Sequence, residues 1–225
     1  MSGFALSALP FVLVFCRSSL FFAVRPFFVL FCLSFSYLCS VAGASFSPVG
    51  AVLPPVVASL LGGASLVGFA GSRSALPPAS VSALVFSAVS PSASVAVGCA
   101  GGFDSSVRAA FSSAVVWRAS QFGRGRSSFA RRSVAFVRSL SASGSAVLFS
   151  APAVACPAGL APSASASRCF CGLGSGSWAG VAFAVGLGLP VVLFLPAGVV
   201  PPASFGFLAV GGGFFVFRPS QGVLF

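Results

Sequence analysis

Leu66-Val67-Gly68-Phe69-Ala70-Gly71-Ser72-Arg73-Ser74 is the stretch on which the fold turns. Residues 66–70 are an apolar run of strand length, and Gly71 to Ser74 supply a tight turn, hydroxyls and a guanidinium. A helix then starts near Ala79, with Val81, Leu84, Val85 and Ala88 at i, i+3, i+4 and i+7. A buried strand that runs through a glycine turn into a helix is the opening unit of a parallel sheet.

The same alternation continues towards the C-terminus. A second strand at 94–97 enters Gly98-Cys99-Ala100-Gly101-Gly102, after which Asp104 is in position to cap a short helix bearing Val107, Ala110 and Phe111. A third strand at 114–118 and an arginine-rich loop at 121–127 lead to the clearest helix of the chain. Phe129, Ser133, Phe136, Val137 and Leu140 share one of its faces, and Arg131, Ala135, Arg138 and Ser139 lie opposite. A fourth strand at 146–149 precedes a loop of about 25 residues, a length that is usually functional or disordered. Trp178, Val181, Ala182 and Val185 form a helical stripe, Gly186 and Gly188 suit its end, and Pro190 opens a buried strand at 191–195. The runs 205–210 and 214–217 around Gly211-Gly212-Gly213 read either as a hairpin closing the sheet or as a frayed end. The expected fold is therefore α/β: a Rossmann-like parallel sheet of about five strands with helices on both faces and a C-terminal hairpin, over residues 63–225.

Composition alone points elsewhere. Hydrophobic residues make up 57% and charged residues 6%, against roughly a quarter charged in soluble domains. Lys, Glu, Asn, His, Thr and Ile are all absent, however, and all have adenine at the first or second codon position. A coding strand depleted of adenine replaces Lys by Arg, Thr by Ser or Ala and Ile by Val, so hydropathy here reports mutational pressure as well as environment. Residues 1–62 form a Phe-rich hydrophobic block interrupted by Arg17, Arg25 and Pro54-Pro55. Its uncharged run 26–44 is long enough to span a bilayer, and Ala42-Gly43-Ala44 resembles a signal-peptidase site. Leader, anchor and translation from a misplaced upstream start are the three readings of this block. In the other uncharged run, 180–200, the Gly and Pro punctuation fits a helix–turn–strand unit better than a lipid-facing helix. The folded domain is expected in the cytoplasm; membrane contact through residues 1–62 is the alternative.

Twelve arginines against the single acidic residue Asp104 give a formal charge of +11, a field that favours polyanions. Three glycine-rich turns fall where strands give way to helices, the edge at which open α/β sheets bind ligands. Unpaired N–H groups at such helix starts favour anions by about 0.3–1 kcal/mol. The candidate phosphate or nucleotide contacts are Gly71, Ser72 and Arg73 in the first turn, Gly98, Gly102 and Asp104 around the second, and Gly174, Ser175, Gly176 and Ser177 in the third. Arg124, Arg126 and Arg131 are auxiliary polyanion contacts, Arg132 beside them could guide a polyanion from the same solvated face, and Phe122 and Trp178 are the aromatics near the loops on which a base could stack.

Without His or Glu, the chain cannot assemble a Ser-His-Asp or Cys-His system. One carboxylate provides neither an acid/base pair nor a Mg²⁺ cage. The seven cysteines are irregularly spaced, and Cys156, Cys169, Cys171 and Cys99 lack the spacing of a zinc ribbon or knuckle. No metal and no cofactor is expected.

These loops resemble those of the SLOG superfamily, in particular its DprA-like members. Gly71-Ser72-Arg73 is similar to the family's Gly-Ser-Arg loop after the first strand. Gly98 to Asp104 resembles its Gly-x-Ala-Arg-Gly-x-Asp segment, and Ser175-Gly176-Ser177 through Ala182 to Pro196-Ala197-Gly198 resembles its Ser-Gly-Ser helix and closing strand. The matches run in family order over residues 66–198. Gly101 stands where DprA-like chains commonly carry arginine, and Gly180 where the superfamily's phosphoribohydrolases carry their glutamate. The resemblance implies a Rossmann-type domain that binds phosphate of a nucleotide or of single-stranded nucleic acid, with Asp104 orienting the second loop or a ligand sugar. With the missing glutamate, a non-catalytic module is the expectation, with a homo-oligomer as a further partner. A membrane protein and an enzyme acting on a nucleotide-derived small molecule are the alternatives.

Overall fold

The computed structural model describes residues 14–16, 19–21 and 52–219. The chain divides into two units, Met1–Pro48 and Val49–Phe225. In the first, β1 (Val14–Cys16) pairs antiparallel with β2 (Ser19–Phe21). The run 26–44 and the Ala42-Gly43-Ala44 motif lie outside the described residues.

The second unit begins with α1 (Pro55–Gly63), whose first residue is a proline, preset for a helix start. Val57 and Leu61, four apart on one face, are fully buried in the core. This helix starts ahead of residue 63, where the sequence pattern begins the domain. Five strands and five helices follow in the order β3 (Leu66–Gly71), α2 (Ala79–Ser87), β4 (Ser94–Gly98), α3 (Phe103–Ala110), β5 (Val115–Trp117), α4 (Ser127–Ser141), β6 (Ala146–Ala151), α5 (Ala166–Cys169), α6 (Gly176–Gly186) and β7 (Val191–Phe194). A hairpin of β8 (Leu208–Gly211) and β9 (Phe214–Phe217) ends the described chain.

The sheet order is β5-β4-β3-β6-β7-β9-β8. The five strands β5 to β7 are parallel, and the hairpin joins antiparallel through β9 against β7. Strand order runs outward from β3 to β5, then returns past β3 to β6. This reversal makes the space between the carboxyl ends of β3 and β6 the topological switch point of a Rossmann-like sheet.

Alternate side chains of each strand serve opposite faces. Val67, Phe69, Val147 and Phe149 pack with α1, α2 and α3 through Val57, Val85, Phe103 and Val107. Leu148, Val191 and Leu193 pack on the other face with α4 and α6 through Phe136, Leu140, Trp178 and Val181. Burying each such large side chain contributes about 1.5–3 kcal/mol against leaving it in water. Helices on both faces explain why the strands read as unbroken apolar runs.

Two local expectations change, and that for the run 180–200 holds. On α4 the inward row is Ser128, Arg132, Phe136 and Leu140, and Phe129 at the helix start is 37% exposed. The helix is turned by about one position from the face marked by Phe129 and Ser133, because Arg132 meets a buried carboxylate below it. The hairpin begins at Leu208 rather than 205, since Ala203–Phe205 form a 3₁₀ turn that buries Phe205 edge-on against Trp178 at 5.8 Å. The run 180–200 is α6, a turn and β7, and among the described residues no helix is long and apolar enough to cross a membrane.

Candidate functional site

A cleft of about 760 Å³ opens at the carboxyl ends of β3 and β6, between the starts of α4 and α6. Its size is that of a small-molecule site. The first turn contributes Gly71, Ser72 and Arg73 to its wall, and the third contributes Gly174, Ser175, Gly176 and Ser177. The two turns are tied together: the Ser177 hydroxyl donates to the Gly71 carbonyl at 2.8 Å across the switch point. Ser175 precedes α6 without a side-chain cap and no acidic residue occupies the first turn, so the amide edge of this helix faces the cleft without a counter-charge from its own chain segment.

The second turn supports the site from beneath. Gly98 and Gly102 do not line the cleft; each permits a close approach. A Cβ on Gly98 would overlap the Arg132 guanidinium and the Asp104 carboxylate. Gly102, at φ +63°, lets the turn lie against the backbone of Ser72 and Arg73, and the Phe103 N–H donates to the Ser72 carbonyl at 3.0 Å. Arg108 clamps the same turn by donating to the carbonyls of Gly98 (2.7 Å) and Ala100 (3.0 Å).

Asp104 lines the cleft but does not cap α3. The residue ahead of that helix is Gly102, and the Asp104 carboxylate instead accepts the Ala100 N–H at 3.2 Å, holding the second turn. Burial raises its pKa above the ordinary carboxylate value, an effect that Arg132 and the Ala100 N–H oppose without cancelling.

The nearest charged partner of Asp104 is Arg132, with Nη1 3.7 Å from Oδ2. The Arg132 side chain is 10% exposed, lines the cleft, and has an Nε without a hydrogen-bond partner. Sequence patterning placed this residue among the arginines of a solvated face that could guide a polyanion, and did not foresee its burial. The signal available was its spacing of four from Phe136. Ser150, at the carboxyl end of β6, is a second buried group whose hydroxyl lacks a partner.

Of the auxiliary arginines, Arg126 lines the cleft, whereas Arg124 and Arg131 do not. Arg131 donates to the Ser127 hydroxyl at 2.9 Å on the exposed side of α4. Neither expected aromatic lines the cleft. Trp178 is fully buried, with its Nε1 donating to the Val154 carbonyl at 2.8 Å, and Phe122 stacks on Trp117 at 6.0 Å. Phe129 lines the cleft instead, with the Arg73 guanidinium 4.7 Å above its ring centroid. Among the described residues, no group of three or more His, Cys, Asp or Glu side chains is arranged to hold a metal ion.

Comparison of the chain with protein-family models, with curated proteins and with solved structures found no match.

Proposed function

We propose that the domain is a phosphate-recognising module that binds a nucleotide or single-stranded nucleic acid in the cleft between β3 and β6, without chemistry of its own. The observation that carries this reading is Arg132. A guanidinium nine-tenths buried, with an unpartnered Nε and one carboxylate 3.7 Å away, is short of acceptors. An unsatisfied buried group of this kind costs about 1–3 kcal/mol or more, and a phosphate oxygen in the cleft that Arg132 lines would supply a further acceptor beside its guanidinium.

The surroundings agree with an oxyanion. The α6 amide edge, the Ser72 hydroxyl and the Arg73 guanidinium all border the same space. The resemblance of these turns to the SLOG superfamily supports the same assignment. Asp104, the chain's one acidic residue, is engaged by Ala100 and Arg132 and is therefore poorly placed to serve as a general base. That favours binding over catalysis.

Salt titration separates the two ligand classes. A strand contacting Z phosphates loses affinity with a log–log slope of about −0.7Z, whereas a mononucleotide gives a much shallower dependence. Measurable binding of either ligand that persists at low millimolar salt and responds to cleft substitutions is expected. Absence of binding to both, and to inorganic phosphate, overturns the reading.

A further inference from the structure

We propose that the exposed ring of Phe129 is a nucleobase platform, so that the group held in the cleft is a nucleoside phosphate and not a sugar phosphate or bare phosphate. This rests on the nucleotide reading above and adds to it the surface that holds the base.

Three apolar side chains that burial would favour are left in water by the fold. Phe129 is 37%, Leu173 47% and Val154 57% exposed, and all three border this one cleft. Isolated exposed apolar residues are ordinary, but a group of them beside converging polar atoms is the usual make-up of a ligand pocket. Two of the three flank the amide edge of α6. Leu173 lies two residues before Ser175, and the Val154 carbonyl is held by the Trp178 indole in the first turn of α6.

Phe129 is linked to the anion-binding side through Arg73. The guanidinium lies 4.7 Å from the ring centroid. Its donors radiate in its own plane, so stacking on a ring leaves them free for phosphate oxygens. One arginine can therefore bridge a phosphate and an aromatic layer, and a planar, apolar-faced base attached to that phosphate has Phe129, Val154 and Leu173 within the same cleft to cover it. A sugar phosphate has no such face, and would leave the apolar rim in water. Of the aromatic residues that line the cleft, Phe69 and Phe136 are buried and Phe170 is half-buried with its ring edge-on to Phe183, so Phe129 is the most exposed.

The test uses the full chain and calorimetric titration with adenosine 5′-monophosphate, ribose 5-phosphate and inorganic phosphate. Base–aromatic stacking is expected to make the nucleotide about tenfold tighter than ribose 5-phosphate. Phe129→Ala should abolish that preference while ribose 5-phosphate binds as before, and Phe129→Tyr should retain it. A short deoxyadenylate strand run alongside identifies the source of the base, since the strand shows the steeper salt dependence. Equal affinity of the wild-type chain for nucleotide and sugar phosphate overturns the platform but leaves the phosphate site standing. So does an equal loss for both ligands in Phe129→Ala. Failure of all phosphates to bind removes both.

Discussion

Asp104 and Arg132 form a buried pair in a chain that has no other Asp or Glu. Because burial raises the Asp104 pKa, the protonated form is favoured on folding. Its contribution to stability is full below the ordinary value of 3.8 and is lost as pH rises through the higher folded value. Thermal melts across the acid range should show wild-type Tm falling as pH rises through this window, and Asp104→Asn should flatten that limb. A wild-type Tm that rises with pH there would mean that Arg132 outweighs desolvation. This pair was half legible in the sequence. The rarity of Asp104 marked it, but a local capping rule cannot anticipate that its carboxylate turns back to the Ala100 N–H. The burial of Arg132 was not legible, since charge patterning assigns arginine to water and only contact with a distant helix reverses that.

At the scale of elements, the site depends on three turns being held in register. Ser177 and Gly71 are far apart in sequence, yet one hydrogen bond of 2.8 Å joins α6 to the end of β3. Ser177→Ala should lower unfolding stability by about 1 kcal/mol in urea titration, with the denaturant slope unchanged, and should weaken phosphate binding. Unaltered stability and unaltered binding would show that the turns are fixed without it. The strands β3, β4, β6 and β7 were readable because strands buried on both faces carry unbroken apolar runs, and residues at each core position need not be specific. The α4 face was less readable. Its apolar stripe is interrupted by polar residues at 128, 131, 132 and 133, so periodicity admits two rotations about one position apart. The choice between them was made by Asp104 and by the missing side chain of Gly98, neither of which is a local signal. That same rotation brought Phe129 to the cleft mouth and Arg132 beneath it.

For the whole molecule, the question is whether binding arises from the site or from a chain with a formal charge of +11. A field of that size attracts any polyanion, and its effect is spread over all twelve arginines and screened by salt. The cleft makes a narrower demand, because Arg73 borders it and Arg218 does not. Both are exposed in the folded unit, so neither substitution removes a core contact. The direct measurement is the affinity of the full chain for adenosine 5′-monophosphate, compared for wild type, Arg73→Ala and Arg218→Ala at fixed ionic strength. Hydrogen bonds to a charged group contribute about 1.5–3 kcal/mol, so Arg73→Ala should weaken binding by roughly tenfold or more while Arg218→Ala stays close to wild type. Equal weakening in the two variants would make the binding bulk electrostatics and contradict a phosphate site between β3 and β6.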